Sequence, residues 1–193
     1  MNLPSLQAAL AEHSPHREAE KIDRRRSAVT LLLREENDDL QVFMIQRAER
    51  EGDPWSGHMA FPGGRMDPED ASSYAAAVRE CWEEVGFEPE KSEDASYIGR
   101  LSEMPTHVST GRHQMYVTPF VFWLTKTPNF ETNYEVADTI WVPLTFLANA
   151  DNREKMRWQR HGYDVDLPCY IYESKRIWGL SLGMLDELLG LLN

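Results

Sequence analysis

Cysteine is scarce in this chain: Cys81 and Cys169 are the two present among 193 residues. Neither belongs to a CxxC pair or a Cys/His cluster, so a disulfide framework and a structural zinc site are not expected. Long apolar runs are also missing, and no stretch approaches the roughly 18 apolar residues of a membrane-spanning helix. The opening residues MNLPSLQAALAEHSPHREAE carry charge too early for the apolar centre of a signal peptide. A cytoplasmic protein without membrane association is the expectation. Positive charge is in short supply, with 20 Lys and Arg against 32 Asp and Glu, a formal net charge of −12. That balance opposes general attraction to nucleic acid or to an anionic membrane. An anionic substrate would therefore need cations placed locally. Internal repeats and low-complexity linkers are absent as well.

What is present suits one folded domain. A hydrophobic share of 41% and an aromatic share of 10% can build a core, and the length allows a sheet covered on both faces by helices. Leu3, Leu6 and Leu10 recur at roughly helical spacing and predict a short amphipathic helix before the core. SAVTLLL and DLQVFMIQR, joined by the charged turn REENDD, predict a β-hairpin ending at Arg47. A long loop rich in Gly, Pro and Asp follows, with a short strand at 58–61. ASYIGRLSEM, YVTPFVFWL and ADTIWVPL read as three further strands, and Pro119 and Pro143 point to edges, bulges or strand ends. LGMLDELLGLL predicts a closing helix.

Residues 72–85 carry the chemistry. Asp70, Ser72 and Ser73 are candidate caps, alanines follow, and Gly86 sits where a left-handed stop belongs. Helical periodicity groups Glu80, Glu83 and Glu84 on one face and sets Val78, Cys81, Trp82 and Val85 on another, ready to pack on a sheet. Such carboxylates repel one another by a few tenths of a kcal/mol, roughly, for each solvated pair. A solvated acidic face is the commoner meaning of such a helix. Here, however, a Gly-Gly loop lies just upstream, and hard cations take carboxylate and carbonyl oxygens together with substrate phosphates. Arg79 could pair with Asp70 or Glu69 and tie loop to helix.

Gly64, Arg79, Glu80, Cys81, Glu83, Glu84, Gly86 and Phe87 fall on the signature box of the Nudix hydrolases, which this segment resembles, with Cys81 and Phe87 as loose matches. Fourteen residues separate Gly64 from Arg79 where the general box has thirteen. The expansion, FPGG with DP after it, NYEVADTIWVPLTFL and RIWGLS are similar to the coenzyme A diphosphatase branch. A longer motif of that branch is partly kept: Arg47, Ala48, Gly57 and 61–64 fit, but Asp53 stands where its second arginine belongs.

The resemblance implies an α/β fold, a Nudix-like α/β/α sandwich with a mixed sheet between helices. Residues 1–22 would form an N-terminal helical extension and 23–193 the hydrolase domain. It further implies hydrolysis of a nucleoside diphosphate derivative, coenzyme A or another nucleotide, with Mg²⁺ or Mn²⁺ held by Glu80, Glu83, Glu84 and the Gly64 carbonyl. A non-catalytic nucleotide-binding module is the other class of reading. Glu84 or Glu135 would be the general base, with Glu83 and Arg79 also in the catalytic set. Arg47, His58 and Gly63 are the substrate-contact candidates. Trp55 is a base-stacking candidate, the basic run 24–26 a phosphate candidate, and a homodimer is possible.

Overall fold

Two strands that begin as a tight hairpin and then part from each other organise the chain. The structure, a computed structural model, describes residues 2–17, 26–53, 55–106, 115–160 and 163–192. β1 (Arg26–Glu36) and β2 (Asp39–Arg47) pair from Leu33↔Val42 to Glu36↔Asp39. Asn37 and Asp38 turn between them with φ of 54° and 60°, the positive values that suit a two-residue hairpin to strand twist. Beyond Leu33 the strands separate. β3 (Met59–Ala60) pairs with β2 and β4 (Gly63–Arg65) with β1, so the FPGG loop is wedged into the gap.

The large sheet runs β3-β2-β1-β7-β5 with β4, β6 and β8 attached. Its further strands are β5 (Ala95–Arg100), β6 (Met104–Pro105), β7 (Tyr116–Leu124) and β8 (Val136–Pro143). The β1/β7 pair is parallel and the others antiparallel, which makes the sheet mixed. Pro119 lies inside β7 and not at an edge. Its carbonyl accepts from the Leu101 N–H at 2.9 Å, so its missing N–H points to the same side. There β5 stops at Arg100↔Phe120 and β6 resumes at Met104↔Val117, and the interruption removes any need for the donor. Pro143 ends β8, as expected, and leads into α3 (Leu144–Ala148).

One face of the sheet is covered by α2 (Ser73–Val85), which is capped by the Ser72 hydroxyl accepting from the Ala75 N–H at 3.1 Å and stopped by Gly86 at φ 68°. Its Ala76, Ala77, Val78, Cys81 and Val85 pack on Ala28, Leu32, Phe43, Phe120 and Phe122. The opposite face is covered by α4 (Gly179–Gly190) and α1 (Leu3–Glu12), through Leu182, Leu185, Leu188, Leu6 and Leu10. The layers are helix, mixed sheet, helices. A second sheet, unanticipated from sequence, is the antiparallel meander β9 (Arg153–Arg160), β10 (Tyr163–Tyr172) and β11 (Lys175–Trp178). It is fastened to the body by the Tyr170 hydroxyl donating to the Leu147 carbonyl at 2.7 Å and by the Arg153–Asp186 ion pair.

α2 corrects one expectation. Trp82 is 55% exposed, whereas Glu84 is 3% exposed. The closely packed stripe runs through Ala77, Cys81 and Glu84, and small side chains draw the helix so near the sheet that an indole has no room. α1 is equally informative. Asn2 caps it, its side-chain oxygen accepting from the Ser5 N–H at 3.0 Å, and Leu6 is fully buried in the core. Leu6→Ala is expected to lower unfolding free energy by about 2–5 kcal/mol, read by urea denaturation. A loosely attached extension would show almost no change.

Candidate active site

Wedging FPGG between β1 and β2 sets its glycines against α2. The Gly63 N–H donates to Glu84 Oε2 at 2.8 Å. A Cβ on Gly63 would come within 2.3 Å of the Ala28 carbonyl oxygen, and one on Gly64 within 2.3 Å of the Glu80 carboxyl carbon. Gly63 is therefore restricted to glycine by close approach to backbone, whereas at Gly64 the neighbour is the movable end of a side chain.

Arg79 is the hub of the charges around this contact. Nε and Nη2 donate to the two Asp70 oxygens at 3.1 and 2.9 Å, Nη2 also to the Arg65 carbonyl at 3.0 Å, and Nη1 to Glu80 at 3.0 Å and Glu83 at 3.2 Å. Asp67 stands at 3.7 Å. Glu69, the alternative to Asp70, is exposed on the outer side of the turn and makes no ion pair with Arg79; Asp67 and Asp70 occupy the guanidinium instead. Arg79 holds the Asp70 carboxyl below its usual range, and the carboxylates raise the Arg79 pKa in return.

Asp67, Arg79, Glu80, Glu83 and Glu84 line a cleft of about 490 Å³, closed on its other side by Asn133, Tyr134 and Glu135. Glu135, distant in sequence, thus meets the helix acids across one space. Its loop is docked on α2: the Glu131 N–H donates to the Val85 carbonyl at 2.9 Å and the Asn133 N–H to the Glu84 carbonyl at 3.0 Å. Glu135 is paired with Arg50 at 3.2 Å. A slightly larger hollow, about 530 Å³, lies by Trp82, Phe87 and Lys91. Its one carboxylate, Glu88, is paired with Lys91 at 2.8 Å, so the acidic cleft is the chemically equipped one.

Other candidates do not line the cleft. Arg47 donates to Asp53 at 2.8 Å, and its Nε is buried without an acceptor. His58 is turned away from the cleft and packs its ring edge on Trp178, centroids 4.8 Å apart, and burial lowers its pKa. That position follows from β3, which seats His58 beside β11. Trp55 does not line the cleft. Arg26 pairs at 2.6 Å with the buried Glu103 and so is no free phosphate ligand, and residues 24–25 lie outside the described residues. Burial pushes the Cys81 thiol up to about 12, as befits an apolar filler. Periodicity alone overlooked Asp67, Asn133, Tyr134 and Arg50. The one local signal for any of them is the Asx turn in NYE, where Asn133 Oδ1 accepts from the Glu135 N–H at 2.7 Å.

The donors are all oxygens, as a hard divalent cation requires, and the acids share the cleft without any positive lysine in its lining. Among the described residues, no three acidic side chains converge as a ready-made metal cluster. The reason is visible: Glu80 and Glu83 are drawn to Arg79, and Glu84 to the Gly63 N–H. The residues fit such a cation in kind and location, and gathering them would draw Glu80 and Glu83 from Arg79 and Glu84 from the Gly63 N–H.

Burial, with the charges of Glu80 and Glu135 added, raises the Glu84 pKa from 4.5 to about 7, against the opposing pull of the Gly63 N–H and Arg47. Between these two values the folded protein holds a proton that the unfolded chain has released, so stability falls as pH rises through that window. At 1.36 kcal/mol per unit, the loss amounts to about 3 kcal/mol. Metal-free Glu84→Gln is expected to lack this slope and to exceed wild-type stability at pH 8 but not at pH 5, by urea denaturation. Equal slopes in both proteins would exclude Glu84 as the source.

The chain is similar to known proteins in sequence and in fold. The NUDIX domain family model matches residues 23–161. An uncharacterized Nudix hydrolase, NudL, of Enterobacter sp. (strain 638) is 32% identical over 176 residues, 90% of this chain and 86% of that one. An uncharacterized Schizosaccharomyces pombe protein is 39% identical over 108 residues, 55% of this chain and 32% of its own length, so the chain spans about a third of that relative. The NUDIX domain of Shewanella oneidensis NrtR, complexed with ADP ribose, shares the fold with a TM-score of 0.50 at 20% identity, over 73% of this chain and 84% of that one. The family match runs across the glycine loop and the whole of α2, and it shows that the chain belongs to the Nudix hydrolases.

Proposed function

We propose that the protein hydrolyses the diphosphate bond of coenzyme A or a coenzyme A derivative, giving adenosine 3′,5′-bisphosphate and 4′-phosphopantetheine or its acyl form. The observation that carries the hydrolytic part is that the helix acids and Glu135 line one cleft of about 490 Å³. The choice of substrate is supported by the resemblance of the FPGG loop, the longer spacing from Gly64 to Arg79, and the retained Arg47, Ala48 and Gly57.

Mg²⁺ or Mn²⁺ would be held by Glu80, Glu83, Glu84 and the Gly64 carbonyl. When bound, the cation neutralises charge on the diphosphate and makes water a better acid. The chain's own part is positioning. Arg79, anchored on Asp70 and the Arg65 carbonyl, keeps the loop and helix in register. Glu84 would be held as a carboxylate by the cation, a form able to accept a proton from water. Glu135 is the alternative to Glu84 as general base, its carboxylate paired with Arg50.

A second reading, hydrolysis of ADP-ribose, NADH, a dinucleoside polyphosphate or 8-oxo-dGTP, is favoured by one observation. Asp53 occupies the place of an arginine and pairs with Arg47 at 2.8 Å, so the pair offers an additional substrate phosphate less positive charge than two arginines would. The ADP ribose bound by the Shewanella NrtR domain is in keeping with it.

Product release measured over coenzyme A, its oxidised and acylated forms, ADP-ribose, NADH and 8-oxo-dGTP tests the two readings. Highest kcat/KM on a coenzyme A form supports the first, and preference for another nucleotide replaces it. Tight binding without turnover of any member would instead make the protein a binding module. Chelation is expected to abolish turnover, with recovery on added Mg²⁺ or Mn²⁺. Glu83→Gln and Glu84→Gln are each expected to lower kcat by roughly a hundredfold or more in folded protein. Near-wild-type rates in either would remove it from the ligand set. Gly64→Ala is expected to fold, because the clashing carboxylate can swing aside, but to lose activity as Glu80 is displaced.

A further inference from the structure

Tyr134 has the highest exposure of the large apolar side chains among the described residues, 78%. The backbone beneath it is nevertheless held on both sides. Before it, Asn133 is bonded to the Glu84 carbonyl; after it, the Glu135 carbonyl accepts from the Ala48 N–H at 2.7 Å. An aromatic ring is thus presented to water by a fixed loop, an arrangement that core packing does not explain.

Its surroundings are specific. The Arg50 guanidinium carbon lies 4.9 Å from the ring centroid and covers one face. The same guanidinium pairs with Glu135, which orients both side chains of the loop. With one face covered and the residue so exposed, the opposite face is open. The ring lines the acidic cleft, and the other lining side chains are carboxylates, one guanidinium and one amide. Those groups serve cations and phosphates. None offers a broad flat surface to the uncharged, planar part of a nucleotide.

We propose that Tyr134, backed by Arg50, is the base-stacking subsite of this cleft, receiving the planar aromatic ring of the nucleoside while the acids engage the diphosphate. The assignment rests on the nucleotide reading of the cleft, and it replaces Trp55, which does not line that space. Stacking is tolerant of base identity because every nucleobase has a π-face. Tyr134 therefore provides affinity for nucleotides as a class, and discrimination among them falls to other contacts.

The test is calorimetric binding, in Mg²⁺, of α,β-methylene-ADP and of methylenediphosphonate, its base-free core. Wild type is expected to bind the nucleotide on the order of tenfold or more tightly than the base-free core. Tyr134→Ala is expected to abolish that difference while leaving methylenediphosphonate binding unchanged, and Tyr134→Phe and Tyr134→Trp to retain it. A nucleotide preference that survives in Tyr134→Ala, or that is missing from wild type, overturns the proposal. So does equal weakening of both ligands, which would mark a structural role. Loss of the preference in Tyr134→Ala, together with failure of wild type to turn over any member of the substrate panel, would sustain the subsite and remove the hydrolytic reading alone.

Discussion

The approach of the FPGG loop to α2 is the contact on which the rest depends. Gly63 gives its N–H to Glu84, and Gly64 leaves the space that the Glu80 carboxylate fills. Neither is possible unless β1 and β2 part after four paired residues on each strand and let the loop in. The parted hairpin, the two glycines and the inward-facing glutamate are one construction. It also explains why α2 carries alanines at its start: a helix held this near a sheet leaves no volume for larger side chains.

The same closeness creates an electrostatic problem that the protein solves with one guanidinium. Four acids, Asp67, Asp70, Glu80 and Glu83, lie within 4 Å of Arg79 nitrogens. Glu84, buried and facing none of those nitrogens, takes up the remaining strain by favouring its protonated form. A divalent cation entering the cleft would reverse that preference, because it stabilises carboxylates over carboxylic acids. Arg50 repeats the device on a smaller scale at the far wall, joining Glu135 to Tyr134. The two walls are covalently remote but mechanically joined, since the 131–135 loop hangs on the last carbonyls of α2.

Much of this was legible from residue order. The hairpin turn, the Ser72 cap, the Gly86 stop and the closing leucine helix depend on local backbone chemistry, and each falls where local signals place it. The pairing of Arg79 with Asp70 is local as well, since nine residues of loop and helix separate them. Readings failed where a neighbour remote in sequence decided. Pro119 is tolerated inside the sheet because β5 and β6 leave a gap opposite it. Trp82 and Glu84 exchange their expected environments because the distance from helix to sheet, which periodicity does not encode, governs which side chain fits. The β9–β11 meander went unread because its strands are charged on their exposed faces and their apolar residues meet a body assembled elsewhere.

By itself the sequence determined the α/β class, the ends of α2 and the residue types that a hard cation and a diphosphate require. Local signals suffice for these, because caps, turns and ligand chemistry act over a few residues. Only the tertiary structure decided which of the acids share a cleft, that Arg47 is engaged by Asp53, that His58 belongs to Trp178, and that Tyr134 stands open beside the acids. Those outcomes turn on distances between segments far apart in the chain. Packing sets such distances, and no spacing within a motif contains them.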